Sequence, residues 1–534
     1  MKKQRWLRTF RITISLFILM GFVIVFSDVR AELPSAFTTF LTYFQFWPSL
    51  QKLTGAPGIL ATGFIFVLLL TFFVGRVYCS TYCPLGILQD VLGFVRKKVF
   101  GKKARFRYKK PLNFIRYSIL VLLIISIVYA GIFAINLFDP FANFGRIFST
   151  IYQPVFILGN NITSKILMSL GYYSLQPLPH KEFYALPFFF ALTILLIIIT
   201  MVFYRGRLYC NTICPVGALL GLLSKISFLK IRIEDKQCTQ CGKCQTVCKA
   251  NCINIKNMTV DESRCIACFN CINSCEGSSI AYVKAFSIKD RSEEKSDAGK
   301  RNFLKSGMFY LVSYPMVSQI VRSGFENDSS SREHSRAQEH NFHNVFGTRG
   351  PVSPPGSQGI DHLKANCIGC QLCVSVCPTK VIQPSFLEYG FTGMMLPRMN
   401  NDIGFCNYEC TKCGEICPAG AIISLTKETK KITQIGKVVF ERHHCVVFTS
   451  EKSCGSCSEH CPTQAVHMVP YKGYLTIPET SPEICIGCGA CEYVCPVTNP
   501  HAAIFVIPNN VHEIAQKPHK ENKIKEDTNQ GFPF

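Results

Sequence analysis

The chain has 534 residues, 48% of them hydrophobic and only 17% charged, with positive mean hydropathy: too apolar for an ordinary soluble enzyme and long enough for several domains. Its 29 cysteines recur mostly at two- and three-residue spacings, which sets aside the short disulfide scaffolds of secreted proteins and points to metal ligation. Much of the formal charge of +23 flanks apolar runs, where it reads as a topology signal, and no nucleic-acid partner is expected.

Four uncharged runs come first: Ile12 to Ser27, Leu53 to Gly75, Tyr117 to Phe138 and Phe183 to Tyr204. Each crosses or nearly crosses a hydrocarbon core of about 30 Å at about 1.5 Å per helical residue, so four transmembrane helices are predicted. No small-residue cleavage site follows the first, which makes it an uncleaved anchor. Lys2, Lys3, Arg5, Arg8 and Arg11 precede that run. Arg76 and a basic block from Arg96 to Arg116 follow the second, while the segments after the first and third are nearly uncharged. Both ends of the four-helix unit are therefore expected to face the cytoplasm, with the basic block against membrane lipid.

Where the second and fourth runs end, the chain repeats itself: "GRVYCSTYCPLG" at Gly75 to Gly86 and "GRLYCNTICPVG" at Gly206 to Gly217, 131 residues apart. The repeat predicts that Cys79, Cys83, Cys210 and Cys214 meet at one membrane surface, as a redox or metal centre at the membrane exits. Four thiolates could hold a metal there, or two could cycle as a disulfide. Between the third and fourth runs stands "NLFDPFANFGRIF", Asn136 to Phe148, whose Asp139 could serve a quinone headgroup, an interfacial aromatic belt being the plainer reading.

Beyond the spans, cysteines come in fours. Cys238, Cys241, Cys244, Cys248 and Cys265, Cys268, Cys271, Cys275 both follow C-x2-C-x2-C-x3-C. Three thiols of such a turn reach one cubane and the fourth reaches its neighbour, so Cys275 is assigned to the first set's cluster and Cys248 to the second's. Cys252 is left as a buried structural thiol. Four more sets follow residue 360: Cys367, Cys370, Cys373, Cys377; Cys406, Cys410, Cys413, Cys417; Cys445, Cys454, Cys457, Cys461; and Cys485, Cys488, Cys491, Cys495. Six [4Fe-4S] clusters are the expected cofactors. This array resembles the four-cluster subunits of bacterial redox enzymes, which implies that the first set exchanges its last ligand with the fourth and the second with the third. Cys495 would then join Cys367, Cys370 and Cys373, and Cys377 would join Cys485, Cys488 and Cys491. Likewise Cys461 would join Cys406, Cys410 and Cys413, and Cys417 would join Cys445, Cys454 and Cys457.

With the repeated cysteine motif, four spans and a two-cluster unit on the page, residues 1–290 resemble the NapH-type membrane iron–sulfur proteins, with NosR-type and CcoG-type relatives. Residues 367 to 495 resemble NapG, the four-cluster partner of NapH. The resemblance implies a membrane protein with four transmembrane helices and two α+β bacterial-ferredoxin-like domains, and an electron path from membrane quinol to an exported reductase. The domains read as 1–230 membrane unit, 231–290 two-cluster ferredoxin, 291–365 flexible linker, 366–510 four-cluster ferredoxin and 511–534 polar tail. Within the linker, "KRNFLK" resembles a twin-arginine export signal, and the uncharged run Ser306 to Val321 that follows would make a fifth span with the last domain outside. His334, His340 and His343 read as solvated linker.

Absences narrow the chemistry. His180 is the only histidine ahead of the first ferredoxin motif, no cysteine pair carries the histidine of c-type haem attachment, and neither G-x-G-x-x-G nor G-x-x-x-x-G-K-[ST] occurs. Haem, flavin, nicotinamide and ATP chemistry are therefore not expected. The sequence reads as a membrane electron carrier, a quinol dehydrogenase component whose partners are the quinone pool and a terminal reductase. A metalloenzyme assembly or maintenance factor, or a relay to a cytoplasmic ferredoxin, are the alternative readings.

Overall fold

A computed structural model describes residues 4, 6–55, 62–101, 106–130, 132–179, 183–234, 238–276, 279–285, 350–499 and 501–516. The lysine-arginine motif, the run from Ser306 to Val321, the three linker histidines and most of the polar tail lie outside them.

Helices stand where the four spans are predicted. They are α1 (Trp6–Ser27), α4 (Gly63–Val74), α7 (Asn113–Ala130) and α11 (Ala185–Arg205). Of these, α1 and α11 are long and apolar enough to cross a membrane. The second run is divided: Leu53 belongs to α3 (Phe46–Gly55), which with α2 (Ser35–Tyr43) fills the connection between α1 and α4. The third run is divided as well, α8 (Phe133–Phe138) following α7.

The stretch read as an interfacial belt is instead interior. In α9 (Pro140–Ile147) every residue is buried, and a π-helical turn (Phe148–Tyr152) leads into α10 (Gln153–Ser169). Phe22 and Phe26 of α1 meet Phe141 and Phe144 edge-on at 5.8 to 6.0 Å, and Phe144 stacks on Phe148 at 4.0 Å. Asp139 caps α9 through a 2.7 Å hydrogen bond from the Ala142 amide. Its carboxylate is thus occupied by the fold.

Each cysteine repeat makes a short helix and a longer one: α5 (Tyr78–Thr81) and α6 (Pro84–Phe100), then α12 (Leu208–Thr212) and α13 (Pro215–Leu223). Cys83 and Cys214 cap the longer helices, with the following proline at the first helical position, where its missing N–H is no loss.

The first ferredoxin unit opens two residues earlier than predicted, because β1 (Leu229–Ile233) pairs with its last strand, Ile280–Lys284, from Leu229 opposite Lys284 to Ile233 opposite Ile280. The C-terminal ferredoxin unit is likewise larger. Residues 350–365, predicted as linker, fold into it: Val352 bridges Met399, Gly359 bridges Val511, and a helix spans Ile360–Asn366. Strand Ile504–Ile514 runs past residue 510 and pairs with Thr433–Phe440. Boundaries read from cysteine spacing miss these flanks because the strands that close the unit carry no ligand.

The two ferredoxin units sit at opposite helix ends. Tyr282 donates to the Val74 carbonyl at 2.6 Å, Asn251 to the Arg205 carbonyl at 3.0 Å, and the Phe228 amide to the Phe72 carbonyl at 2.8 Å. At the other ends, Lys380 donates to the Val29 carbonyl at 3.2 Å, Gln51 to the Ala365 carbonyl at 2.9 Å, and Asn400 to the Tyr184 hydroxyl at 2.9 Å.

Candidate metal centres

The repeated motif resolves residue by residue into a pseudo-symmetric joint. Gly75 and Gly206 adopt positive φ, 74° and 67°, which turns the chain back so that α5 and α12 point into the protein instead of leaving it. This revises the expectation of cysteines at an exit surface: Cys79, Cys83, Cys210 and Cys214 are each 3 to 4% exposed. The arginines that follow the glycines cross over. Arg76 donates to the Cys210 carbonyl at 3.2 Å and Arg207 to the Cys79 carbonyl at 2.8 Å. A Cβ at Gly86 would meet the Cys79 carbonyl and the Arg207 guanidinium, and one at Gly217 the Cys210 carbonyl and the Arg76 guanidinium. Tyr78 and Tyr209 point the other way, hydrogen bonding Gln45 at 3.2 Å and the Phe138 carbonyl at 2.7 Å. All four thiols are electrostatic neighbours: Cys214 senses Cys210, Cys83 and Cys79.

In the four sets with simple spacing the turn has one geometry. The second residue after the first cysteine (Gln240, Ala267, Gly369, Gly487) and the residue after the second cysteine (Gly242, Phe269, Gln371, Gly489) all have φ between 47° and 80°. Two left-handed residues per motif coil the backbone tightly enough for three thiols to face one point. Half of these positions are not glycine, so this signal is faint in the sequence.

In the first ferredoxin unit Cys244 neighbours Cys238, Cys275 and Cys241, while Cys271 neighbours Cys268, Cys265 and Cys248. Cys252 is buried with its Sγ 3.5 Å from that of Cys248. In the C-terminal unit the thiols that neighbour one another are not those of the expected exchange. Cys373 neighbours Cys367, Cys370 and Cys417, whereas Cys406, Cys410 and Cys413 all neighbour Cys377. Cys485, Cys488 and Cys491 neighbour Cys461, and Cys445 neighbours Cys454 and Cys495. These neighbours bring the first set against the second and the third against the fourth. Each consecutive pair of sets closes on itself, with its own two-stranded ribbon between sets: Ile382–Pro384 with Pro397–Met399, and Val466–Pro470 with Thr476–Thr480.

These donor sets fit cubane clusters. Burial first, then mutual repulsion, pushes Cys367 and Cys488 up to about 12 and Cys244 up to about 11, so the thiols are poor free thiolates and need a cationic centre to deprotonate them. Backbone amides of Gly369 and Gly487 donate to Cys367 and Cys485 at 3.4 and 3.3 Å, the kind of bond that tunes a cluster's potential. A different group is close enough to share one ion: Glu441, His444 and His501, with His444 Nδ1 and His501 Nε2 at 3.0 and 3.5 Å from the Glu441 carboxylate.

The sets form a line. Cys241 is exposed at one end, and Cys268 lies in the same buried core as the four repeat cysteines and as Cys370, the array's innermost cysteine. Cys373 also neighbours Cys413, and Cys488 neighbours Cys406, which continues the line outward to the set of Cys445, Cys454, Cys457 and Cys495.

Comparison with known proteins agrees with this chemistry. A family model described as a 4Fe-4S binding domain matches residues 56–103 and 187–234, the two repeats, and one described as a 4Fe-4S dicluster domain matches 366–421 and 452–499. An uncharacterized protein of Methanocaldococcus jannaschii is 25% identical over 47% of this chain and 93% of its own length. The ferredoxin-type protein NapH of Haemophilus influenzae is 24% identical over 40% of this chain and 63% of its own, and the ferredoxin-type protein NapG of Escherichia coli also matches. The methylamine utilization ferredoxin-type protein MauM of Methylophilus methylotrophus is 31% identical over 30% of this chain and 72% of its own. No solved structure matches. On these likenesses and the cysteine sets together, the chain belongs to the ferredoxin-type iron–sulfur proteins of the MauM kind, is also similar to NapG and NapH, and its work is electron transfer.

Proposed function

We propose that the protein takes electrons from membrane quinol, menaquinol first among the candidates, and passes them through [4Fe-4S] clusters to a reductase outside the cytoplasmic membrane, such as a nitrate reductase. The observation that carries this reading is the seat of the array. Asn136 donates to the Cys367 carbonyl at 2.8 Å, and Arg146 to the Gly369 carbonyl at 3.1 Å, so the innermost cysteine set rests directly on the helices. That seat is at the helix ends opposite Arg76, Arg96, Arg116, Arg205 and Arg207, the basic side that the positive-inside rule assigns to the cytoplasm.

A groove between α2, α3 and the array is lined by Thr42, Tyr43, Ser49, Lys52 and Cys417. Its hydroxyl and ammonium groups beside Cys417 are the partners through which we place a quinol headgroup at this face. Oxidation there releases two protons to the outer water and two electrons, one at a time, towards that set. The chain's own part is to hold the headgroup and to keep the Cys417 side of the groove close.

Reduction of the protein in liposomes by a menaquinol analogue, followed by bleaching of the broad iron–sulfur absorption, tests this. Lys52→Ala is expected to slow bleaching about tenfold, the worth of one charge-assisted hydrogen bond. Bleaching by a reduced soluble ferredoxin but not by the quinol analogue would replace this reading with the cytoplasmic relay.

A further inference from the structure

The outer end of the array carries a group that none of the cysteine sets uses. We propose that Glu441, His444 and His501 hold one divalent transition-metal ion of the zinc class, which ties together two chain segments at the outermost cysteine set and raises the midpoint potential of the cluster held there. The inference goes beyond the electron path described above and does not depend on the quinol groove.

The fold brings the three side chains together from two segments. The ladder of Thr433–Phe440 and Ile504–Ile514 ends with Phe440 opposite Ile504, and one step further the Glu441 amide donates to the Ala503 carbonyl at 2.8 Å. Glu441 therefore stands beside the segment that enters the ladder through His501. A single-turn helix (Arg442–His444) follows, in which the His444 amide donates to the Glu441 carbonyl at 3.1 Å, so residues three apart share a side. The two residues between them are engaged elsewhere. The Arg442 guanidinium lies 4.7 Å from the ring centre of Tyr471, and the His443 ring packs on Phe448 at 5.1 Å.

Lone pairs and spacing point to a cation. His501 Nδ1 is 3.1 Å from the Ala502 carbonyl, which only accepts, so the ring carries its proton there and presents the Nε2 lone pair to the Glu441 carboxylate 3.5 Å away. Two acceptors that face each other repel unless a cation stands between them. His444 Nδ1 is buried 3.0 Å from the same carboxylate oxygen, yet it makes no hydrogen bond among the described residues. Around a tetrahedral zinc with bonds of about 2.0 to 2.2 Å, neighbouring ligand atoms stand about 3.3 Å apart. The two distances from the Glu441 oxygen, 3.0 and 3.5 Å, lie on either side of that spacing, and one ligand atom from each residue lies within 4.8 Å of the other two. Two imidazoles and one carboxylate, with no thiolate, are a donor set for zinc and not for a cubane or for calcium. The three side chains are 35 to 40% exposed, so the ion enters from water and keeps a position open to it.

Position supplies the consequence. His444 directly precedes Cys445, whose amide donates to the Arg442 carbonyl at 3.1 Å and closes the same turn, and Cys445 neighbours Cys454 and Cys495. His501 lies six residues past Cys495. An ion here fixes the turn that carries one thiol and the segment that follows another. Its charge, reduced by one carboxylate, remains positive beside a cluster that gains negative charge on reduction, which favours the reduced form. Zinc itself takes no electron, so its part is structural and electrostatic.

The full chain without a histidine tag, purified anaerobically with its clusters and dialysed first against zinc and then against zinc-free buffer, tests this. About one zinc per chain is expected to stay, at unchanged iron content. Glu441→Gln and His501→Gln should each lose it, whereas His467→Gln, at an exposed histidine paired with Glu479, should keep it. In a dithionite titration with no quinol present, zinc should move the midpoint of one paramagnetic signal upward and a chelator should return it, a readout on the unaltered protein that stands even where a variant fails to fold. No zinc retained, equal retention in every variant, zinc that enters only as iron leaves, or retained zinc with every midpoint unmoved would each overturn the proposal. Retained zinc with the expected shift, in a protein that no quinol reduces, would remove the quinol reading alone.

Discussion

Asp90 ties three parts of the chain together. Its carboxylate is 3.0 Å from Arg11 of α1, 2.8 Å from Arg207 ahead of α12, and 3.2 Å from Lys249 of the first ferredoxin unit. Burial opposes its ionisation, but the three cations hold it well below the usual carboxylate range. Asp90→Asn strands them, and is expected to cost roughly 3–5 kcal/mol, seen as a lower temperature for loss of the visible cluster absorption. An unchanged temperature would show that the cations find water instead. His512 gives the opposite titration. Burial first, and the charge of His362 second, lower it to about 4 from the ordinary 6.5, and it bonds the Ser353 hydroxyl at 2.8 Å. The unfolded chain takes up this proton near pH 6.5 and the folded chain only near 4, so stability is undiminished above that range and falls, by at most about 1.4 kcal/mol per pH unit, as pH drops through it. His512→Gln should flatten that part of the acid profile; an unaltered slope would place the dependence elsewhere. At this scale the sequence is legible in its types and not in its roles. Arg76 reads as one more basic residue beyond a span, yet it is fully buried and bonded across to the other repeat.

Among the elements, α9 shows most plainly what spacing cannot reveal. Its apolar residues carry no period that separates a membrane belt from an interior helix, and among its neighbours are residues of α1 and of the array, more than a hundred positions away. Gly145 on α9 is where the fit is tightest: a Cβ there would run into the Cys370 carbonyl. Gly145→Ala should therefore loosen the array's seat, raising hydrogen exchange at the amides around Cys370, whereas Gly159→Ala on α10, with nothing within 4 Å, should change stability by no more than about 1 kcal/mol. Equal exchange in the two variants would contradict this packing. The helices at the four apolar runs, two of them long enough to cross a membrane, and the cysteine sets were readable because each has a local cause, apolar length or fixed spacing. The exchange of fourth ligands was not, since it depends on which motif folds against which. The ribbons that pair the first set with the second and the third with the fourth lie between the motifs and carry no ligand.

At the scale of the whole molecule, the arrangement is a line of cysteine sets with an iron–sulfur unit at each end of one helical body. Cys241 is exposed at one extreme, Cys370 is buried where the array meets the helices, and the repeat cysteines share that buried core with Cys268. The lone basic block and the repeated motif foretold the body; the docking of both units onto it did not follow from either, because the joint is made by side chains such as Gln51, Asn136 and Gln153 that look unremarkable in the sequence. The central claim is that the two units face opposite sides of the membrane. Protease accessibility in spheroplasts, with one tag at the N-terminus and another at Phe534, tests it most directly. The account predicts that external protease removes the tag at Phe534 and spares the one at the N-terminus. Protection of both tags, with both cleaved only after lysis, would contradict it and put the whole relay on the cytoplasmic side.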